Sequence, residues 1–270
     1  MRYLLIVKAT PDYEAGQLPS REILAEMVQW NEAMVKSGSM LASERLLPSS
    51  KGTRVCYSDR RITVTDGPFA ETKELVAGAC VIRAASLNQA VDWAKRIPFR
   101  DGEVEIRPLL EVFSPSDGTD QPAPPPQRTP GMIGYLAFIK SDSEVEAGKF
   151  PEERFIAEMS AFLQDSAKAG VFLTGEGLEP SSKSARVRYA GKERSVIDGP
   201  FAETKELVAG YCSLQFQSKA AAIEWAKQFV QVDAPGRFQE RCEIEMRPIF
   251  EYTEFSADIV EMFRRATTNA

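Results

Sequence analysis

The sequence predicts an α+β protein built as two tandem copies of one domain, each an antiparallel sheet backed by helices on one face. Three observations carry this prediction. The run Asp-Gly-Pro-Phe-Ala-Glu-Thr-Lys-Glu-Leu-Val-Ala-Gly occurs twice without a mismatch, at 66–78 and 198–210. The register extends well beyond it: Tyr3, Gly38, Glu44, Pro48, Arg54 and Trp93 recur 132 residues later as Tyr135, Gly170, Glu176, Pro180, Arg186 and Trp225. Both copies also show the same succession of strand, helix, strand, strand pair, motif, strand, helix and strand. A repeat of this length is a duplicated domain, because solenoid units run to only about 20–50 residues.

The elements follow in order. Tyr3 to Val7 is a short apolar strand. Arg21 to Lys36 places Ile23, Leu24, Met27, Trp30, Met34 and Val35 at helical spacing, and Glu152 to Lys168 is its counterpart with Phe155, Ile156, Met159, Phe162 and Leu163. Each helix meets a glycine, Gly38 or Gly170, where a left-handed residue closes a C-terminus. A strand over Ser39 to Leu46 comes next, then a strand pair, Arg54 to Tyr57 and Ile62 to Thr65, across a polar turn. After the motif come a strand over Leu75 to Ile82, a helix opening at Ser86, and a last strand over Glu103 to Phe113. Glu103 to Pro108 recurs as Glu243 to Pro248 at an offset of 140, so the second copy carries 8 extra residues between Gln228 and Glu240. A sheet covered by helices on one face leaves the other bare, and a duplicated chain buries two such faces by packing them together.

The domains span 1–113 and 132–254. Between them, 114–131 holds six prolines and reads as a stiff extended spacer. In the tail, 255–270, Ile259, Val260, Met262 and Phe263 stand at loosely helical spacing, suited to docking on a partner or capping the chain's own domain.

Net charge is −6 and the pI about 5.1, which offers no basic face for nucleic acid. No apolar run is long enough for a membrane span or a signal peptide, so the expected location is cytoplasmic. Cys56, Cys80, Cys212 and Cys242 form no Cys-x-x-Cys and read as reduced thiols. Histidine is absent, which removes His-based triads, His metal sites and His acid–base chemistry. No Gly-x-Gly-x-x-Gly, P-loop or metal-ligand spacing is present, so neither a cofactor nor a metal is expected.

The motif has a plain structural reading. Asp-Gly-Pro is turn punctuation, Phe69 and Phe201 plug a core, and Glu71, Lys73 and Glu74 are solvated. That reading leaves the polar end unexplained. Glu-Thr-Lys-Glu is identical in both copies while neighbouring core strands differ, as Ala79-Cys80-Val81-Ile82 does from Tyr211-Cys212-Ser213-Leu214. A binding role explains it: Glu71, Thr72, Lys73, Arg54 and Arg107, with Glu203, Thr204, Lys205, Arg186 and Arg247, ring a small polar or anionic ligand. The alternating Glu103-x-Glu105-x-Arg107 strand also reads as a solvated face with cross-strand ion pairs. An enzyme of isomerase, lyase or hydrolase type is the alternative. In it, Asp66 or Asp198 is a general base with its pKa raised by burial against the motif phenylalanine, and Lys73 or Lys205 steadies an oxyanion.

The repeated Asp-Gly-Pro-Phe motif, the upstream Gly175 to Pro180 (Ser43 to Pro48 in the first copy) and the terminal Glu-x-Arg-Pro resemble the YCII-related, or DGPF-domain, family. The resemblance implies a ferredoxin-like domain that pairs into a dimeric α+β barrel, here as a pseudo-dimer within one chain, with a cleft between the paired sheets. It further implies a regulatory association with a sigma factor. Some relatives pair a His with the motif Asp for catalysis. This sequence has that Asp twice, at Asp66 and Asp198, and carries Ile97-Pro98 where those relatives have His-Pro. The missing dyad partner favours binding over catalysis.

Overall fold

The computed structural model describes residues 1–70, 74–110, 128–149, 152–202, 206–233 and 241–251. The first half runs β1 (Arg2–Lys8), α1 (Pro11–Glu14), α2 (Arg21–Lys36), β2 (Met40–Arg45), β3 (Thr53–Ser58), β4 (Arg61–Asp66), β5 (Val76–Arg83), α3 (Leu87–Lys95) and β6 (Asp101–Pro108). The second repeats it with β7 (Ile133–Lys140), α4 (Ser143–Glu146), α5 (Glu153–Lys168), β8 (Phe172–Gly177), β9 (Ala185–Ala190), β10 (Glu193–Asp198), β11 (Val208–Phe216), α6 (Lys219–Asp233) and β12 (Cys242–Pro248). Much of the predicted Pro-rich spacer, through residue 127, lies outside the described residues. So do 234–240, where the extra residues of the second copy were expected, and the tail beyond Glu251.

Local signals set the ends of these elements. Ser20 and Ser86 accept hydrogen bonds from Ile23 N and Gln89 N and so cap α2 and α3. Gly38 and Gly170 follow the two long helices at φ of 69° and 71°, a conformation that costs glycine little. Asp59 and Arg60 both take positive φ, which matches the twist of a tight β3–β4 hairpin. The inward stripe of α2 is Leu24, Val28 and Met34; Val35, placed inward by its spacing, is instead exposed at the helix end.

The strands form two six-stranded antiparallel sheets, ordered β10-β9-β6-β1-β5-β2 and β4-β3-β12-β7-β11-β8. Four strands of each sheet come from one half in ferredoxin-like order. The other two are a hairpin from the opposite half: β9–β10 pairs onto β6, and β3–β4 pairs onto β12. The halves therefore exchange hairpins. The exchange extends each half's helix-side core, since Val187 and Tyr189 pack with Tyr3, Leu5 and Ala90, and the Tyr189 hydroxyl donates to the Ala94 carbonyl at 2.7 Å.

Alternation along β1 sends Tyr3 and Leu5 to the helices, and Leu4 and Ile6 toward the other sheet. There Leu4, Ile6, Val81, Leu136, Phe138 and Tyr211 form a core drawn from both halves. Bridges Leu46↔Ile249 and Leu109↔Leu178 join the sheets at their ends. The result is two tandem ferredoxin-like domains forming an intramolecular dimeric α+β barrel.

Candidate functional site

The inner sheet faces end in charge. Lys8 closes β1, Glu103, Glu105 and Arg107 alternate along β6, and the exchanged strand β9 adds Arg186 from the other half. Lys8 and Arg186 are less than a tenth exposed, and Glu105 and Arg107 are fully enclosed. Arg186 donates from Nε to Glu105 at 3.0 Å and lies 3.3 Å from Glu103. It meets both carboxylate oxygens of Glu74, the last polar residue of the first motif, at 3.4 and 3.2 Å. Lys8 Nζ donates to the same Glu74 at 2.7 Å and approaches Glu105 at 3.3 Å. Arg107 donates to Glu105 at 2.9 Å and to the Glu179 carbonyl at 2.7 Å.

The duplication builds a second cluster from Lys140, Arg54, Glu243, Glu245, Arg247 and Glu206. Arg54, from β3 of the first half, donates to Glu245 at 3.0 Å and stands 3.6 Å from Glu206. Lys140 reaches Glu206 at 3.1 Å and Glu245 at 3.5 Å. Arg247 donates to Glu245 at 3.0 Å and to the Leu47 carbonyl at 2.7 Å, but its buried Nε has no hydrogen-bond partner among the described residues.

Burial alone would raise the carboxyls of Glu105 and Glu245. The surrounding cations (Lys8, Arg107 and Arg186 at Glu105; Lys140, Arg247 and Arg54 at Glu245) overcome it and hold each carboxyl down at about 2. Burial pulls the other way at Arg54 and Arg186 also, yet the neighbouring glutamates, Glu245 and Glu105 foremost, leave their pKa raised.

Each motif serves both clusters. The Phe201 ring lies 4.0 Å under the Arg186 guanidinium, and Phe69 lies 4.2 Å under Arg54. The first motif thus gives Phe69 to one cluster and Glu74 to the other, and the second motif gives Phe201 and Glu206 in the reverse sense. Between them the turn is clamped to a single 3-10 turn, Ser49–Lys51 in the first half and Ser181–Lys183 in the second. Phe69 N donates to the Ser49 hydroxyl, and Gly67 N to the Gly52 carbonyl. A Cβ on Gly67 or Gly199 would collide with the carbonyl of Ser49 or Ser181, so the motif admits only glycine there. Glu14 and Glu146 accept from Ser49 N and Ser181 N and face Arg247 and Arg107 across the barrel.

This placement corrects several sequence expectations. Asp66 does not have a pKa raised by burial against Phe69. It is exposed, accepts from Lys219 at 2.8 Å and from the Thr53 hydroxyl at 2.7 Å, and these bonds lower its pKa. Asp198 is exposed too, and alanine stands at the position of Thr53, so it lacks that bond. Glu74 is not solvated, and the Glu-x-Glu-x-Arg strand is not a wet face. Its cross-strand ion pairs exist, but Glu74 and Phe201 of the two motifs and Glu146 of α4 pack against them. Arg54, Arg107, Arg186 and Arg247 do converge on the clusters. Glu71, Thr72, Lys73, Glu203, Thr204 and Lys205 lie outside the described residues. Sequence reasoning missed Lys8 and Lys140, although each ends an apolar strand at an equivalent position, which was the available signal.

Among the described residues the middle of the seam is filled by the shared core of Leu4, Ile6, Val81, Leu136, Phe138 and Tyr211. A depression of about 240 Å³, counting space open to solvent, is lined by Tyr13, Leu18, Arg45 and Phe250 and holds none of the predicted site residues. Among the described residues no acidic, His or Cys group suits a metal ion, and no helix is long and apolar enough to cross a membrane.

The family model described as YCII-related domain matches residues 1–112 and again 134–247, the two structural repeats. An uncharacterized protein of Rhizobium meliloti (strain 1021) is 37% identical over 86 residues, covering 31% of this chain and 68% of that one. With both halves matched along nearly their whole length, and with the fold and the paired Asp-Gly-Pro-Phe turns in place, the chain belongs to the YCII-related domain family and carries the domain twice.

Proposed function

We propose that the protein binds a small polar or anionic molecule at the charged ends of the inter-sheet seam, as a binding or regulatory module. The observation that supports this is the mounting of Arg186 and Arg54. Each guanidinium is stacked on a motif phenylalanine at about van der Waals distance and brought beside a buried lysine by a hairpin from the opposite half. A planar cation held at fixed orientation is suited to recognising a planar or oxygen-rich anion. The motif's repeated pairing with both clusters gives its identity in the two copies a functional reason as well as a structural one.

The test is a thermal-shift and calorimetric survey of small polar and anionic molecules against the wild type and the double variant R54K/R186K. That variant keeps the charges and loses the planar forks. Ligands of the seam raise the melting temperature of the wild type and not of the variant; a response equal in both proteins sets the proposal aside. The sigma-factor link implied by the family resemblance extends this proposal, and crosslinking followed by co-purification tests it.

A further inference from the structure

We propose that Arg128 is a latch that holds shut one of the two seams joining the halves, and that this seam parts when Arg128 is withdrawn. The latch goes beyond the binding reading and stands whether or not the clusters take a ligand.

The bridges Leu109↔Leu178 and Leu46↔Ile249 mark two seams related by the duplication. At the first, Leu110 N donates to the Gly177 carbonyl at 2.9 Å and Glu179 N to the Pro108 carbonyl at 3.0 Å. At the second, Phe250 N donates to the Arg45 carbonyl at 2.8 Å and Leu47 N to the Pro248 carbonyl at 2.9 Å. The first seam carries an ion pair built from the two domains themselves: Arg2 of β1 meets both carboxylate oxygens of Glu176 in β8, at 2.7 and 2.6 Å. The duplication would repeat that pair at the second seam, with position 134 supplying a cation for Glu44. Position 134 is glycine.

Arg128 fills the gap from the end of the Pro-rich spacer. Its side chain lies so close across Gly134 that a Cβ there would collide with its guanidinium and Cδ. The next residue anchors it. Thr129 N donates to the side-chain oxygen of the buried Gln215 at 2.7 Å, and the Thr129 hydroxyl accepts from the Gln215 amide at 3.1 Å. The same amide donates to the Gly170 carbonyl at 2.7 Å.

The position of this arginine makes it a latch. It donates to Glu44 at 3.4 Å on one side of the seam and to Glu251 at 3.1 Å on the other. Glu44 belongs to β2, and Glu251 directly follows Phe250, so one guanidinium ties the two segments whose backbones make the seam. Burial raises the Glu44 carboxyl, Arg128 opposes that rise, and Glu251 adds to it. With Arg128 in place the two carboxylates share a cation. Without it they face each other as like charges, and their repulsion works against the backbone bonds of the seam. This seam is also a wall of the second cluster, since the Leu47 carbonyl accepts from Arg247 at 2.7 Å. The latch thus couples the end of the spacer to the packing around that cluster.

Hydrogen exchange reads the two seams separately. In R128A the Leu47 and Phe250 amides are expected to exchange roughly fivefold faster than in the wild type, while Leu110 and Glu179 keep their rates. R128Q keeps most of the bulk and loses the charge, and the same result is expected. R128A/E251Q removes one of the opposed carboxylates and should bring Leu47 and Phe250 back toward wild-type rates. Wild-type rates at Leu47 and Phe250 in both R128A and R128Q overturn the latch. Equal acceleration of all four amides overturns it as well, because that pattern reports a general loss of stability. If R128A/E251Q exchanges as fast as R128A, the like-charge mechanism falls.

Discussion

At the scale of single residues, the enclosed glutamates carry the largest energetic stake. Glu105 pairs with Lys8, Arg107 and Arg186 and is itself almost fully enclosed. Replacing it with glutamine keeps the volume and removes a carboxylate that all three cations share, so E105Q is expected to lose roughly 3–5 kcal/mol in urea unfolding, and E245Q a similar amount. Gly67 is constrained differently: G67A drives a methyl group into the Ser49 carbonyl, for an expected loss of about 2 kcal/mol or more in the same measurement. The arginines were legible from the sequence, because Arg54 and Arg186, and Arg107 and Arg247, hold equivalent positions. The glutamates were visible but misread. Glu103-x-Glu105-x-Arg107 has the alternation of a wet strand face, and the residues that pack on it, Glu74, Phe201 and Glu146, come from distant parts of the chain that no local pattern encodes. The motif aspartates failed in the opposite sense: proximity to Phe69 in sequence suggested burial, whereas Asp66 ends an edge strand and points to solvent.

At the scale of elements, the long helices and most strands were readable within a residue or two, since periodicity, serine caps and closing glycines are local signals; the short helices α1 and α4 were missed, and the strand read from Glu103 to Phe113 ends at Pro108. Pairing partners were not. The strand pair before each motif reads as an ordinary hairpin of its own domain, yet Arg186 pairs with Glu105, and Arg54 with Glu245, across the duplication. Nothing within the hairpin states which β6-like edge it extends. The exchange makes the hairpin a structural member of the opposite core, and Tyr189 offers a direct measure of that. Y189F removes its hydroxyl bond to the Ala94 carbonyl, which keeps its bond from Ile97 N, so a loss of about 1 kcal/mol is expected. An unchanged melting curve for Y189F would show that the exchanged hairpin lends little to the first half's helix-side core.

At the scale of the whole molecule, the two clusters give stability a defined pH dependence. Glu105 and Glu245 have folded-state values held down at about 2 from an ordinary 4.5. Their contribution is therefore present in full above about pH 4.5 and is lost as the pH falls toward 2, on the order of 3 kcal/mol from each. Unfolding free energies measured between pH 6 and 2 should fall through that window, with E105Q/E245Q flattening the drop. Exchanged hairpins also bind the halves independently of the spacer. A protease site placed within 114–131 should yield, on cutting, two fragments that stay together through size exclusion; separation of the fragments would overturn the interdependence of the two sheets. The relative from Rhizobium meliloti matches only about one repeat of this chain. Because each cluster draws residues from both halves, a single repeat would need a second copy to build one, and a site built that way thins out on dilution. Fusion of two repeats frees both sites from that mass-action limit: here they form at any abundance of the chain, and the melting temperature should not change with protein concentration.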